Sequence, residues 1–292
     1  MKRILVAGAT GYLGKYIVEN LVAQDNMPNV LVRNVAKFES FGLPVNNLIQ
    51  AEVTDSSSLH NCCEGVDVVI SSIGITRQTD GLSYMDVDYQ ANVNLLNEAK
   101  RSGVGKFVYV SVLNGEKLSS LAICAAKERF SEALKNSGID YCIIRPNGFF
   151  SDMSEFYNMA QRGRVYLFGD GSLESNPIHG EDLAKVCIDA VELDKTEIEV
   201  GGPQTLSQVE IAELAFEAAG NPVKISHIPD WGRRLALKLL NLLLSKHKYG
   251  PVEFFMNVMA IEMKAPEYGS RTLKDYFTSL RKKPISLSAK PF

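Results

Sequence analysis

The chain is poor in residues that staple, ligate or anchor. Its 292 residues hold five cysteines, Cys62, Cys63, Cys124, Cys142 and Cys187, an odd number with no CxxC spacing. That pattern argues against a disulfide framework and reads as reduced thiols packed as small apolar side chains. The four histidines, His60, His179, His227 and His247, share no ligand spacing with acids or cysteines, so no metal is expected. Positive charge is not in surplus. Thirty-one Lys and Arg stand against 34 Asp and Glu, a net charge of −3. A nucleic-acid partner needs a basic face, so none is expected. No run reaches the roughly 18 uninterrupted apolar residues of a membrane span. The basic start Met1-Lys2-Arg3 leads into an apolar run too short for a signal peptide, and glycine follows at once. These absences point to a soluble, cytoplasmic protein. No internal repeat and no long low-complexity linker divides the chain.

What is present is a strict alternation. Apolar residues make up 46% of the chain, ample for a large core. Short Val- and Ile-rich runs predict strands over 4–7, 30–33, 47–51, 66–71, 106–112 and 140–145. Helical periodicity predicts helices over 12–24, 84–101 and 120–136. Continuous apolar strands separated by helices predict a doubly wound α/β fold of the Rossmann type, its parallel sheet covered on both faces. The expected division is a dinucleotide-binding domain over 1–150, with 176–201 returning to its sheet as a helix and a short strand. Residues 151–175 and 202–292 form a smaller, mostly helical substrate-side lobe in this reading. Its last segment, 281–292, reads as a solvated tail or a strap.

The loop between the first strand and the first helix reads GATGYLG, with Gly8, Gly11 and Gly14 spaced GxxGxxG. In such a turn the first glycine lets the chain reverse. The second admits a pyrophosphate to the backbone amides, and the third lets the helix pack close to the strand. The anion then lies on the positive end of the helix dipole. A site preferring NAD carries Asp or Glu at the end of the second strand. Here that strand ends Val32-Arg33-Asn34. A guanidinium there suits a 2′-phosphate, with the Thr10 hydroxyl as a further donor. NADP(H) is therefore the expected cofactor and NAD(H) the alternative.

With GATGYLG, VLVRN, VTD, SSIGIT, YVSV, AAKERF, IRPNGFF and IHGEDLA in this order, residues 1–200 resemble the atypical short-chain dehydrogenase/reductase superfamily. Within it the chain is similar to the NmrA-like and isoflavone-reductase-like NAD(P)H-binding proteins. The resemblance implies that Gly8, Thr10, Gly11, Tyr12, Leu13 and Gly14 line the diphosphate and that Arg33 meets the adenosine phosphate. Glu52 and Val53 match the stretch that brackets adenine. Ser71, Ser72 and Ile73 match the strand end on the nicotinamide side, and Pro146, Asn147 and Gly148 the loop beside the nicotinamide. Ser111 matches the catalytic serine and Lys127 the lysine of YxxxK. Where that motif's tyrosine would stand, this chain has Ile123. Isoleucine moves no proton. Cys124, one residue on, points about 100° away around a helix. Tyr109 shares a strand face with Ser111 and reads as a core residue. The isoflavone-reductase-like branch also lacks this tyrosine pattern, so the resemblance leaves catalysis open. Lys127 is then expected to hold ribose hydroxyls, or to act as acid or base if burial lowers its pKa.

Two further stretches remain. In PIHGEDL, His179 is expected to order the turn into a helix that Asp182 helps to start. WGRRLALKLLNLLLSKHKYG, residues 231–250, reads as a helix that packs on the sheet and lines an apolar pocket. Contact with an anionic membrane surface or with a partner is the alternative. Together with Phe149, Phe150, Phe156, Phe254 and Phe255, such a pocket suits a small apolar or aromatic substrate. Two functions follow: an NADPH-dependent reductase of a small carbonyl or conjugated alkene, or a non-catalytic NADP(H)-sensing regulator or assembly factor. A sugar-nucleotide epimerase or dehydratase needs the absent tyrosine.

Overall fold

The computed structural model describes residues 1–75 and 81–282. The tail expected at 281–292 therefore lies, beyond Lys282, outside the described residues. The chain begins β1 (Ile4–Ala7), α1 (Tyr12–Ala23), β2 (Asn29–Val32), α2 (Val35–Glu39), β3 (Asn47–Gln50) and β4 (Val68–Ser71). It continues α3 (Asn92–Arg101), β5 (Lys106–Val110), α4 (Ala122–Lys135), β6 (Asp140–Pro146), α5 (Phe150–Gln161) and β7 (Val165–Phe168). Then come β8 (Glu174–Ser175), α6 (Gly180–Asp189), β9 (Glu197–Val200), β10 (Leu206–Ser207), α7 (Gln208–Ala219) and β11 (Ile225–Ile228). Helices α8 (Asp230–Leu243), α9 (Lys246–Val258) and α10 (Leu273–Lys282) follow.

Seven strands form one parallel sheet in the order β3-β2-β1-β4-β5-β6-β9. Because side chains alternate across a strand, each apolar run feeds two cores at once. In β1, Ile4 and Val6 enter the core beneath α1 and α6, while Leu5 and Ala7 enter the core beneath α3 and α4. In β5, Val108 and Val110 join the first, Phe107 and Tyr109 the second. That double burial is why the strands read as unbroken apolar runs.

The helix predicted over 84–101 divides. Met85–Ala91 winds as a π-helix before α3 begins. The strand predicted from 66 starts at Val68, because Val66 closes a turn on the Cys63 carbonyl. Two helices were not legible. In α2 the Asn34 carbonyl oxygen accepts from the Lys37 amide at 2.9 Å. Helix α5 builds a third core with α7 and α10, around Phe150, Phe156, Phe216 and Phe277. Phe150 and Phe156 are buried in that core. The stretch 231–250 is also not the packed helix expected. It forms α8 and the start of α9, and α8 turns Trp231, Leu235, Leu239, Leu242 and Leu243 outward. No helix among the described residues is long and apolar enough to cross a membrane.

Candidate functional site

Parallel strands bring every strand C-terminus, and the N-terminus of each following helix, to one edge of the sheet. There β1 turns into α1. Gly8 has φ +85°, in the left-handed region, and a Cβ on it would lie 2.8 Å from Ser72 Oγ. A Cβ on Gly14 would overlap the Gly8 carbonyl oxygen. The Gly11 amide donates to that same oxygen at 2.9 Å. Helix α1 starts at Gly11 without a side-chain cap and without an acid in its first turn. The cradle therefore offers bare amides with no competing carboxylate, and it fits a diphosphate.

The side chains of Tyr12 and Leu13 are taken up by packing. Leu13 lies in the core. The Tyr12 ring stands edge-on to Tyr16 at 5.5 Å, and its hydroxyl accepts from the Gly180 amide at 3.1 Å. Burial pushes the Tyr12 phenol well up, so it stays protonated. What both residues can offer a ligand is backbone. Thr10 is half-buried on the same turn. At the outer end, Arg33 stands exposed at the end of β2, and Glu52 from the end of β3 approaches it at 3.9 Å. Glu52 Oε1 also accepts from the Thr54 hydroxyl, while the Val53 carbonyl accepts from Asn94 at 3.1 Å. The carboxylate missing from β2 thus arrives from the neighbouring strand.

On the inner side, Ser71 is buried and its hydroxyl donates to Asn92 at 2.6 Å. Ser72 Oγ donates to the Ala7 carbonyl at 3.1 Å, and Ile73 is buried. Pro146 ends β6, and the Asn147 amide group donates to Asn176 Oδ1 at 2.7 Å and to the Met263 carbonyl at 2.5 Å. Asn147 Oδ1 accepts from the Gly148 amide at 2.7 Å. These contacts bind the end of β6 to the 263–265 segment, so the Asn147 side chain is an internal strut.

Lys127 Nζ meets Asp88 Oδ1 at 3.1 Å, and the Asp88 side chain is wholly buried. The second Asp88 oxygen accepts from the Ile75 amide at 3.1 Å. The ammonium also lies 5.6 Å from the Tyr109 ring centre. A Cβ on Gly74 would press on both members of the pair, at 2.7 Å from Asp88 Oδ1 and 3.0 Å from Lys127 Nζ. Burial by itself would lower the Lys127 pKa; Tyr109 and Asp88 outweigh it, and the net shift is upward. Burial pushes the Asp88 carboxyl upward, opposed by the Lys127 charge and the Ile75 amide. The condition on which the sequence would let Lys127 act as a base, a pKa lowered by burial, is therefore not met. Lys127 stays an ammonium, a donor in place of a base.

Ser111 lies one residue beyond Val110, whose carbonyl accepts from Lys127 Nζ at 3.5 Å. Its own hydroxyl faces another way and donates to Glu128 at 3.4 Å. Glu128 holds the buried Arg145 through two bonds of 2.5 and 2.9 Å, and Glu197 takes the Arg145 Nε. Ser111 thus belongs to an arginine lattice that ties β5, β6, α4 and β9 together. Ile123 packs on Ile75, Tyr84 and Ala126, forming an apolar wall next to the lysine. Cys124 is buried and its thiol is pushed up to about 12, so no thiolate replaces the tyrosine. Tyr109 is a core residue, edge-on to Phe130 at 4.6 Å. His179 Nδ1 accepts from the Glu181 amide at 3.2 Å and caps α6, while Asp182 receives the Ser270 and Arg271 amides.

Asp88, Glu128 and Arg145 escaped sequence reading. The signal for Asp88 was present: it shares a buried helix stripe with Ala91, Asn92 and Leu95. A carboxylate on such a stripe needs a cationic partner.

The turn, the parallel order and the edge on which they meet define a dinucleotide-binding α/β protein of the short-chain dehydrogenase/reductase type. A family model described as NAD(P)H-binding matches residues 8–194, and the chain belongs to that family. It is 28% identical over 233 residues to the photosystem II assembly factor Ycf39 of Synechocystis sp., covering 78% of this chain and 71% of that protein. It is 28% identical over 317 residues to the chloroplastic divinyl chlorophyllide a 8-vinyl-reductase of Cucumis sativus, covering 94% and 75%. Among solved structures, the NADPH complex of the NADPH-dependent quinone oxidoreductase QOR2 from Escherichia coli superposes with a TM-score of 0.71 at 18% identity. That alignment covers 95% of this chain and 99% of that one, and the likeness is one of fold.

Proposed function

We propose that this protein is an NADPH-dependent reductase of a small apolar carbonyl or conjugated alkene. The observation that carries the reading is the Asp88-held ammonium of Lys127, set at the end of β5 against the wall of Ile75, Tyr84 and Ile123. In this reading the bare amides at Gly8, Gly11 and Gly14, with Tyr12 and Leu13, hold the diphosphate. Thr10 and Arg33 hold the adenosine phosphate, and Glu52 and Val53 flank adenine. Ser71, Ser72, Ile73, Pro146 and Gly148 present backbone on the nicotinamide side, with Asn147 bracing that loop. NADPH, when bound, supplies the hydride. Lys127 donates a hydrogen bond or a proton to the substrate oxygen or carbon that gains charge, and Asp88 orients it. Ser111 acts through Glu128 as a positioning residue. The apolar wall excludes water and favours an apolar substrate. A relative named as a vinyl reductase supports an alkene as the reducible group. The five cysteines are all free and buried, which suits a reducing compartment such as the cytoplasm.

The test is NADPH oxidation, followed by absorbance, with a panel of enones and quinones. Turnover with at least one is expected, and Lys127→Ala should lower it by about 10²–10⁴-fold with cofactor affinity retained. NADPH binding without oxidation by any member would sink the reductase. It would support the second reading, a cofactor-sensing regulator or assembly factor, which Ile123 at the tyrosine position and the relative named as an assembly factor favour.

A further inference from the structure

Exposed apolar surface is concentrated on one helix. Among the described residues, Trp231, Leu235, Leu239, Leu242 and Leu243 of α8 are 69%, 49%, 51%, 82% and 79% exposed. At about 100° per residue these five fall within an arc of roughly 120°. Arg234 and Lys238 run along one border of that arc. The opposite face is anchored: Arg233 is buried, donates to Asn257 on α9 at 2.8 Å and pairs with Asp230. Helix α8 therefore has a fixed inner side and a greasy outer side edged with cations.

We infer that the outer face of α8 docks this protein on an anionic lipid surface, with the helix lying in the plane of the interface. Charge favours that occupant. Residues 230–250 contain Arg233, Arg234, Lys238, Lys246 and Lys248 against Asp230 alone, a surplus of four positive charges. The chain as a whole carries −3, so the remainder carries −7. Of that basic charge, Arg234, bonded to Asp230, and Lys238 lie at the border of the apolar stripe, while Arg233 is held at the inner face by Asp230 and Asn257. The net negative remainder is repelled from the same lipids. Leucines on a convex ridge suit a planar, deformable medium, and a tryptophan at the head of the stripe suits the headgroup level. At 14 residues α8 is about 21 Å long, too short to span the bilayer core, so it lies flat. The inference stands independently of the reductase reading.

Trp231 is the only tryptophan, so its emission reports this face directly. The full chain is mixed with vesicles of phosphatidylcholine, alone or with an equal part of phosphatidylglycerol. Co-sedimentation and a shift of Trp231 emission to shorter wavelength are expected with the mixed vesicles, weakening as salt is raised. Leu239→Gln with Leu242→Gln should reduce vesicle binding by about tenfold or more while NADPH affinity stays the same. Arg234→Ser with Lys238→Ser should abolish the preference for the anionic vesicles. Unchanged emission and no co-sedimentation with either vesicle overturns the inference. So does a shift that appears without lipid, either with rising protein concentration and a doubled mass, or on adding NADPH. The first would mean that a second copy covers α8, and the second that α8 folds inward over the site.

Discussion

At the N-terminal ends of β4, β5 and β6 the surface carries a groove of about 700 Å³, lined by Lys2, Asp67, Lys106, Asp140 and Lys195 among others. The opposite edge of the same sheet carries the glycine turn and the Lys127–Asp88 pair. The groove is rich in charge, and several of its charges are already paired. Lys2 meets Glu192 at 3.1 Å, Lys106 donates to the Leu193 carbonyl at 2.6 Å, and Arg3 at its rim holds Asp67 at 2.8 Å. Lys2, Lys106 and Arg3 thus already have acceptors. At the other edge the first turn of α1 has neither a side-chain cap nor an acid, and the lysine is kept charged inside an apolar wall. The contrast is between cations that are already paired and an edge that offers uncapped amides beside a buried, oriented charge; strand direction places the latter two together.

The contrast breaks most sharply at Gly14. Gly14→Ala puts a methyl group on the Gly8 carbonyl and forces α1 off the turn. NADPH affinity should fall by about a hundredfold, roughly 3 kcal/mol, read by fluorescence titration. Near-normal affinity would mean that the cradle does not hold the diphosphate. Next comes Asp88→Asn, which strands a buried ammonium and should cost about 3 kcal/mol at neutral pH in denaturant unfolding. The sign with pH separates this from simple loss of packing. Because the Lys127 pKa is raised in the native protein, the wild-type pair stabilises fully below the ordinary lysine range, down to the pH at which the upward-shifted Asp88 carboxyl protonates. That contribution is lost as pH rises through the raised value. In the variant the unpaired lysine is depressed instead, so its deficit should shrink as pH rises towards 10. The pH–rate profile of any reductase activity should shift in the same sense.

A smaller effect is expected at the rim. Arg33→Ala should weaken NADPH by about tenfold and leave NADH nearly unchanged. Equal loss for both would remove the phosphate assignment, and Glu52 would then be the residue to test for the ribose. The smallest effect belongs to the far edge. The Arg3 guanidinium and amide hold the Asp67 carboxyl down at about 2. Arg3→Ala should return it towards the ordinary carboxylate range in an NMR titration, without change in cofactor affinity. A change there would mean that the groove communicates with the site.

Much of this was legible in sequence where the cause is local. Strand and helix alternation, the glycine turn and the uncapped start of α1 follow from neighbours a few residues apart. Helix α5 was hidden because it follows Gly148 in a Gly-rich stretch, and its apolar residues are explained only by α7 and α10. The outward face of α8 was misread for a related reason. An apolar stripe states that a helix has one greasy side, and packing decides whether anything covers it. Lys127 was singled out in the sequence, but its role was left conditional on the effect of burial, because its partner Asp88 lies 39 positions earlier in the chain.

By itself, then, the sequence determined a parallel α/β scaffold and a phosphate-cradling turn, since both depend on backbone periodicity and on conformations open to glycine. Only the tertiary structure decided that Lys127 stays charged, that Ser111 and Arg145 share one lattice, and that α8 stands uncovered. Those are matters of distance and burial between residues far apart along the chain. Electrostatic energy and apolar contact act through space, so they become defined only when the fold has brought the groups together.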